Sequence, residues 1–291
     1  MHSKAAQRIV ILAAPILVSA CGDGGGGGTV ATTSFTSWES VPLNSIVIAN
    51  GLGQESTYDY DPVTKQVSNV VPGNVTGGYS AEMQFDAGAL VGLKFITPST
   101  SLSFASNQIF NVSPEVVGAT TLTSNALLAN PVTLGWNYQT FGVWETGLDM
   151  DTGRFGAMTV GAPSPGVPTA ASATFAGRVA GSWVDTSGKG YAVLANLTVG
   201  WSGQSLTLNT TGTGISEDWS TFTPNGALDM SGTLSVAGTN GFSGTLTTTS
   251  GLTGNSAGQF YGPNAEELGG VFFLQGAGQT YSGAYGAKIQ P

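Results

Sequence analysis

Cys21 and His2 carry the only thiol and the only imidazole of the 291-residue chain. A basic start and a short apolar run, Ile9–Val18, precede small residues and Cys21, which is the pattern of a secretory signal peptide. The run is too short to cross a bilayer as a helix. We expect residues 1–20 to be removed, and His2 with them. Ser-His-Asp and Cys-His catalytic sites and zinc sites built from His or Cys are then excluded.

The position of Cys21, directly after the apolar run and small residues, resembles the lipobox of bacterial lipoproteins. The resemblance implies that Cys21 is acylated and anchors the chain to a membrane; an ordinary signal peptide with an unrelated cysteine is the alternative. A Gly-rich stretch follows, and residues 21–34 are predicted to form a flexible tether. In lipoproteins an Asp directly after the cysteine can retain the protein at the inner membrane. Gly22 stands at that position, which favours the outer membrane and the cell surface. Because Asp23 is the next residue, retention at the inner membrane remains the alternative.

The composition of the chain indicates an all-β protein that does not bind nucleic acid. Charged residues make up only 9% of the sequence, and 44 residues are Gly. Loss of the two basic residues in the leader would take the formal net charge from −9 to about −11. A chain this acidic does not bind nucleic acid or anionic lipid non-specifically.

Two domains are predicted after the tether. Residues 35–163 contain irregular short strands and are expected to form a β-rich domain. The Pro-rich stretch Gly161–Pro168 cannot continue a strand ladder and marks the boundary. From residue 172 apolar and polar residues alternate through about eight strands, which predicts an antiparallel up-and-down β-barrel over 164–291. The face opposite its core carries Asn, Thr, Ser and Asp, which argues against a barrel embedded in lipid.

One sixteen-residue motif stands near the end of the predicted barrel. Gly258–Phe273 reads GQFYGPNAEELGGVFF, and YGAK follows at Tyr285–Lys288. Gly262-Pro263 is expected to turn the chain, and Ala265–Leu268 to form one short helical turn. Because adjacent residues on such a turn point apart, the two Glu residues of the motif are not expected to form a catalytic pair.

This motif resembles the signature of the barrel domain of transferrin-binding protein B and its relatives, surface lipoproteins of Gram-negative bacteria. The resemblance implies a single lobe, in which a β-rich handle domain precedes an eight-stranded barrel. It also implies a surface protein that binds an extracellular carrier protein or solute in iron-linked nutrient acquisition and serves a TonB-dependent outer-membrane transporter. No catalytic activity, cofactor or metal is implied. A structural or adhesive envelope lipoprotein without a small ligand is the alternative, and an enzyme is a third.

Ligand contacts are expected in loops held by the scaffold, with aromatic side chains as the best anchors. The resemblance supplies no loop motif that could be carried over, and packed structural aromatics are the alternative for each candidate. For direct haem binding, a Tyr or Met would have to replace His as axial ligand, with Tyr58, Tyr60 and Tyr79 as first candidates. The candidate ligand-binding residues are Trp219, Phe222, Tyr58, Tyr60, Trp136 and Tyr138.

Overall fold

The computed structural model describes residues 32–148 and 150–291. The predicted signal peptide, the acylation site Cys21 and most of the predicted tether lie outside these residues. The last three residues of the predicted tether, Thr32–Ser34, form a strand, β1, that runs parallel to Ile46–Ile48. In the described part of the chain no helix is long and apolar enough to cross a membrane.

Residues 32–161 form one curled sheet that almost closes on itself, and we call this part of the chain the handle. Its strands pair in the order β6-β5-β4-β2-β11-β10-β9-β8-β7, and β1 and β3 add to β2. The concave face buries an apolar core that includes Phe95 and Trp144, whose ring centroids lie 5.5 Å apart. After β1 the strands are β2 Ser45–Asp61, β3 Gln66–Pro72, β4 Thr76–Asp86, β5 Ala89–Ile96, β6 Ser101–Ala105, β7 Ile109–Ser113, β8 Val116–Thr120, β9 Ser124–Ala129, β10 Gln139–Thr146 and β11 Thr152–Gly161.

The second domain is a closed barrel of eight antiparallel strands, as the alternation predicts. Each long strand pairs with its neighbours in the chain, and the last pairs with the first from Phe175 opposite Ile289 onward. The strands are β12 Ser172–Val184, β13 Gly190–Ser202, β14 Ser205–Ser216, the two-residue β15 Thr223–Pro224, β16 Met230–Ala237, β17 Gly241–Thr248, β18 Thr253–Tyr261, β19 Glu267–Gly276 and β20 Gln279–Ile289. The predicted fold class is therefore confirmed.

The barrel interior is filled by the inward members of the alternation. Phe260 lies at its centre, within 6.2 Å, centroid to centroid, of the rings of Phe175, Trp201 and Phe242. Aromatic pairs at such distances add to the free energy of burial. The packed interior makes this barrel a scaffold rather than a container.

The handle sits side-on against the barrel wall. The outward residues Ala180, Ala192, Val271 and Ala284 of the barrel are buried in one apolar cluster with residues of β8 to β11 of the handle. Small outward side chains on four barrel strands allow the two sheets to approach closely. Both faces of β10 and β11 are thereby buried, which explains why these strands do not alternate between apolar and polar residues.

The turn inside the motif differs from the prediction. Ala265–Leu268 does not form a helical turn; the chain bends at residues 262–264 and enters β19 at Glu267. Ala265 has a φ of +59°, which a right-handed helix does not allow. Glu266 instead accepts hydrogen bonds from the backbone N–H and the side chain of Asn264. The two Glu residues do point apart, since Glu267 is buried and Glu266 is half-buried.

Candidate functional site

Turns from both domains meet at one end of the molecule. We call this surface the loop face; it comprises the turns at 62–65, 97–100, 121–123, 147–148 and 150–151 of the handle and 185–189 and 217–222 of the barrel. Contacts between its turns hold it together. The backbone N–H of Val67 donates to Gly188 O at 2.7 Å, and Lys189 pairs with Glu217 at 2.6 Å. The loop face is therefore one surface built from two domains.

A groove of about 750 Å³ opens on the handle side of the loop face. Buried Tyr58 and Leu102 line it together with half-buried Arg154. Val71 and Met150 also line it, and they are 60% and 62% exposed. Leu122, next to the lining residue Thr123, is 88% exposed. Clustered exposed apolar side chains around a concave surface are typical of a site that binds a protein or another large ligand.

Trp219 lies in the barrel loop that closes the other side of the loop face. Asp218 organises this loop: its carboxylate accepts hydrogen bonds from the backbone and hydroxyl of Ser220 and from Ser216 Oγ, and these bonds lower its pKa to about 2. Trp219 has a φ of +64°, a strained conformation for a bulky residue. Its half-buried ring lies 6.2 Å from the ring of Phe110 in the handle. The loop thus reaches across the seam between the domains.

Two smaller cavities flank this loop on the seam. One of about 80 Å³ is lined by Trp219, Tyr191 and Glu145, and burial raises the pKa of the Glu145 carboxyl against a hydrogen bond from Asn125. The second, of about 280 Å³, is lined by Phe222 and by the ion pair of Arg178 and Glu115 at 2.5 Å. The lining of the first cavity is mainly polar and also includes the carboxylate of Glu217. The lining of the second is mainly apolar around its ion pair.

The remaining tyrosine candidates of the handle are packed. Tyr58 is 2% exposed, its ring centroid lies 4.4 Å from that of Phe155, and its hydroxyl donates to Thr146 O at 2.5 Å. Half-buried Tyr60 packs in the same cluster. Burial raises the pKa of Tyr58 and raises that of Tyr79 to about 12. A tyrosinate ligand for haem is therefore costly at both positions.

Trp136 and Tyr138 lie away from the loop face. Trp136 is 3% exposed and packs on Phe141 at the contact between handle and barrel. Half-buried Tyr138 donates its backbone N–H to Glu267 at 2.9 Å. The structure thus brings Trp219, Phe222, Tyr58 and Tyr60 to one end and leaves these two at the other. The side chains of Tyr58 and Trp136 are buried, so neither offers more than a small area to a partner.

The sequence alone did not predict the apolar groove. Its residues come from six strands of the handle (β2, β3, β6, β9, β10 and β11) and from the turns between them, and no local motif joins them. Leu122 stands alone among Thr and Ser residues, and Met150 stands between two Asp residues; these are the local features that mark them. Among the described residues no group of three or more His, Cys, Asp or Glu side chains is placed to hold a metal ion.

Comparison with protein families identifies the second domain. Residues 167–289 match the family described as the C-lobe and N-lobe beta barrels of transferrin-binding protein B. This part of the chain is a barrel domain of that family. The match covers every strand of the transferrin-binding protein B-type barrel. The motif at Gly258–Phe273 lies within it, as the resemblance implies. Comparison with curated protein sequences found no match.

Solved structures of transferrin- and lactoferrin-binding proteins are similar at low identity. Isotype 1 transferrin-binding protein B from serogroup B Neisseria meningitidis is 15% identical, with a TM-score of 0.43; the match covers 82% of this chain and 64% of that one. A transferrin-binding protein B variant from Haemophilus parasuis is 11% identical, with a TM-score of 0.45 and coverages of 91% and 79%. The N-lobe domain of lactoferrin-binding protein B from Moraxella bovis is 13% identical, with a TM-score of 0.36 and coverages of 82% and 99%. The chain thus spans less than two thirds of the Neisseria protein.

Proposed function

We propose that the protein is an outer-membrane, surface-exposed lipoprotein that binds an extracellular protein through its loop face and takes part in iron-linked nutrient acquisition. The observation that carries the proposal is the groove lined by exposed Val71 and Met150, with exposed Leu122 next to the lining residue Thr123. All three side chains are large, apolar and more than half exposed. Covering them with a partner would contribute about 25 cal/mol of binding free energy per Å² of apolar surface removed from water. The barrel family match supports binding rather than catalysis.

The placement of β1 supports anchoring through Cys21. β1 pairs with Ile46–Ile48, at the end of β2 opposite to the loop face. A lipid on a residue preceding β1 would hold that end towards the membrane and direct the loop face outwards. We propose that delivery to a TonB-dependent transporter follows capture.

Binding is tested with the purified chain against iron-carrier proteins of serum and secretions, haemoproteins and free haem, by biolayer interferometry. We expect one carrier protein to bind. Leu122→Asp should then weaken binding at least tenfold, because a charge replaces an apolar contact. Leu43→Asp is the matched control, since Leu43 is 52% exposed and lies just before β2 at the opposite end. Equal binding by both variants would move the site away from the loop face.

The anchor and the location are tested separately. Cys21→Ala should abolish incorporation of radiolabelled palmitate and release the protein from the outer-membrane fraction. Protease added to intact cells should digest the wild-type chain. If no carrier binds at micromolar concentration and deletion leaves growth under iron limitation unchanged, the structural or adhesive alternative replaces the uptake proposal.

A further inference from the structure

The sixteen-residue motif lies at the contact between handle and barrel. Alternation along β19 directs Glu267, Gly269 and Val271 outwards, towards the handle. Glu267 is fully buried, and its two carboxylate oxygens accept the backbone N–H groups of Asn137 at 2.5 Å and Tyr138 at 2.9 Å. Both donors belong to the segment that leads into β10. A barrel carboxylate thus holds the handle backbone with two charge-assisted hydrogen bonds.

Further groups of the motif region reach the handle from the same wall. Lys288, paired with Glu267 across β19 and β20, donates its ammonium to Gly135 O at 2.5 Å. The hydroxyl of Tyr261 and Thr159 Oγ1 lie 2.9 Å apart in a buried hydrogen bond. These polar contacts come from the ends of three barrel strands, β18, β19 and β20, and converge on one side of the handle.

Two glycines allow the close approach on which these bonds depend. A Cβ at Gly269 would meet Thr159 and would stand 2.6 Å from Gln139 Oε1, both in the handle. A Cβ at Gly286 would meet the side chains of Gln139 and Trp136, again in the handle. Gln139 is fully buried, and neither polar atom of its side chain has a hydrogen-bond partner among the described residues. The buried amide of Gln139 without hydrogen bonds is unfavourable, and the interface keeps it where the two backbones lie close together.

We propose that the motif segment from Tyr261 to Gly270 is an interdomain lock, which joins the handle and the barrel into one cooperatively unfolding unit through the buried carboxylate of Glu267 and the glycine contact at Gly269. The lock acts at the end opposite to the loop face. It fixes the relative position of the handle and barrel turns that form that face without touching a partner. The lock is independent of any ligand.

The test compares unfolding of the full chain and of matched variants by calorimetry and by hydrogen exchange with mass spectrometry. Wild type should unfold in one transition. Gly269→Ala should separate the transitions of the two domains, because the three atoms nearest to its added Cβ all belong to the handle. Amides of β10 and β19 should exchange at least about tenfold faster, while those of the β16–β17 hairpin stay protected. Glu267→Ala, which leaves two buried N–H groups without an acceptor, should have the same effect.

The controls change the same residue types outside the contact. Gly200→Ala adds a Cβ that meets nothing within 4 Å on the barrel strand β13. Glu266→Ala removes a carboxylate that bonds only within its own turn. Both controls should unfold as wild type does. The proposal is overturned if Gly269→Ala and Glu267→Ala keep a single transition with exchange like that of their controls, or if their faster exchange is spread evenly over both domains.

Discussion

The buried carboxyl of Glu267 should make the stability of the protein depend on pH near neutrality. Burial raises its pKa from 4.5 to about 7, although the N–H donors of Asn137 and Tyr138 and the ammonium of Lys288 oppose the shift. Because the pKa is higher in the folded chain than in the unfolded chain, the folded state binds the proton more tightly. The stabilisation is complete below pH 4.5 and is lost as the pH rises through 7.

The expected size follows from the shift. Each pKa unit corresponds to about 1.4 kcal/mol, so the free energy of unfolding should fall by roughly 3 kcal/mol between pH 4.5 and 8 on account of this group. Glu267→Gln keeps the shape and cannot ionise. The part of the pH dependence of the free energy of unfolding that Glu267 causes in wild type should therefore be absent from this variant.

The assay is urea unfolding at several pH values between 4.5 and 8, followed by tryptophan fluorescence. The carboxyl of Asp218, whose pKa is lowered to about 2, changes stability only at more acidic pH, below this window. Burial also raises the pKa of Glu145, so the difference between variant and wild type is the informative quantity. Glu266→Gln is the control and should keep the wild-type slope. A Glu267→Gln variant with the same slope as wild type would refute the reasoning.

Three further predictions concern the packed interior. Phe260→Ala should lower the free energy of unfolding by about 3–5 kcal/mol in denaturant titrations, because the ring contacts three other aromatic rings in the barrel core; a loss below 1 kcal/mol would contradict the packing described. Ser256→Ala should cost about 1–3 kcal/mol, since it leaves the buried hydroxyl of Tyr285, now 2.8 Å from Ser256 Oγ, without that partner; restored stability in Ser256→Ala with Tyr285→Phe would confirm the cause. Tyr79→Phe should leave the tyrosinate absorbance change between pH 9 and 11 unaltered, because the pKa of Tyr79 is about 12; a smaller change would show that Tyr79 titrates normally.

The strand pattern of the barrel could be predicted because one face of the sheet is buried in the core and much of the other face is exposed to water. Phe175 and Val179 face a packed interior, while their neighbours in the chain face water or the handle. A period of two is therefore visible in the sequence. In the handle, β10 is covered on both faces, and the period disappears although the strand is as regular. The motif revealed the domain type but not its contact with the handle.

The interdomain contact and the loop face could not be predicted because both depend on distant segments. Glu267 lies 130 residues from Asn137 in the chain, and nothing local distinguishes it from its neighbour Glu266. The conformation of Ala265 reversed the expectation of a helical turn, although acids and Pro263 suit one. Trp136 and Trp219 are equally plausible anchors by type, yet the fold buries the first and leaves the second half-exposed.

The length of β2 sets how far a captured partner would stand from the membrane. β2 has 17 residues and runs from the end where β1 pairs to the loop face, a rise of at most about 55 Å at roughly 3.3 Å per residue. β20 ends at the same end as β1, since Ile289 lies opposite Phe175 near the start of the barrel. A lipid attached before β1 would therefore place the loop face on the side of the body away from the anchor. A tag or fluorescent protein fused after Pro291 would sit beneath the body, close to the lipid headgroups, and would leave the outer end free to be imaged or bound.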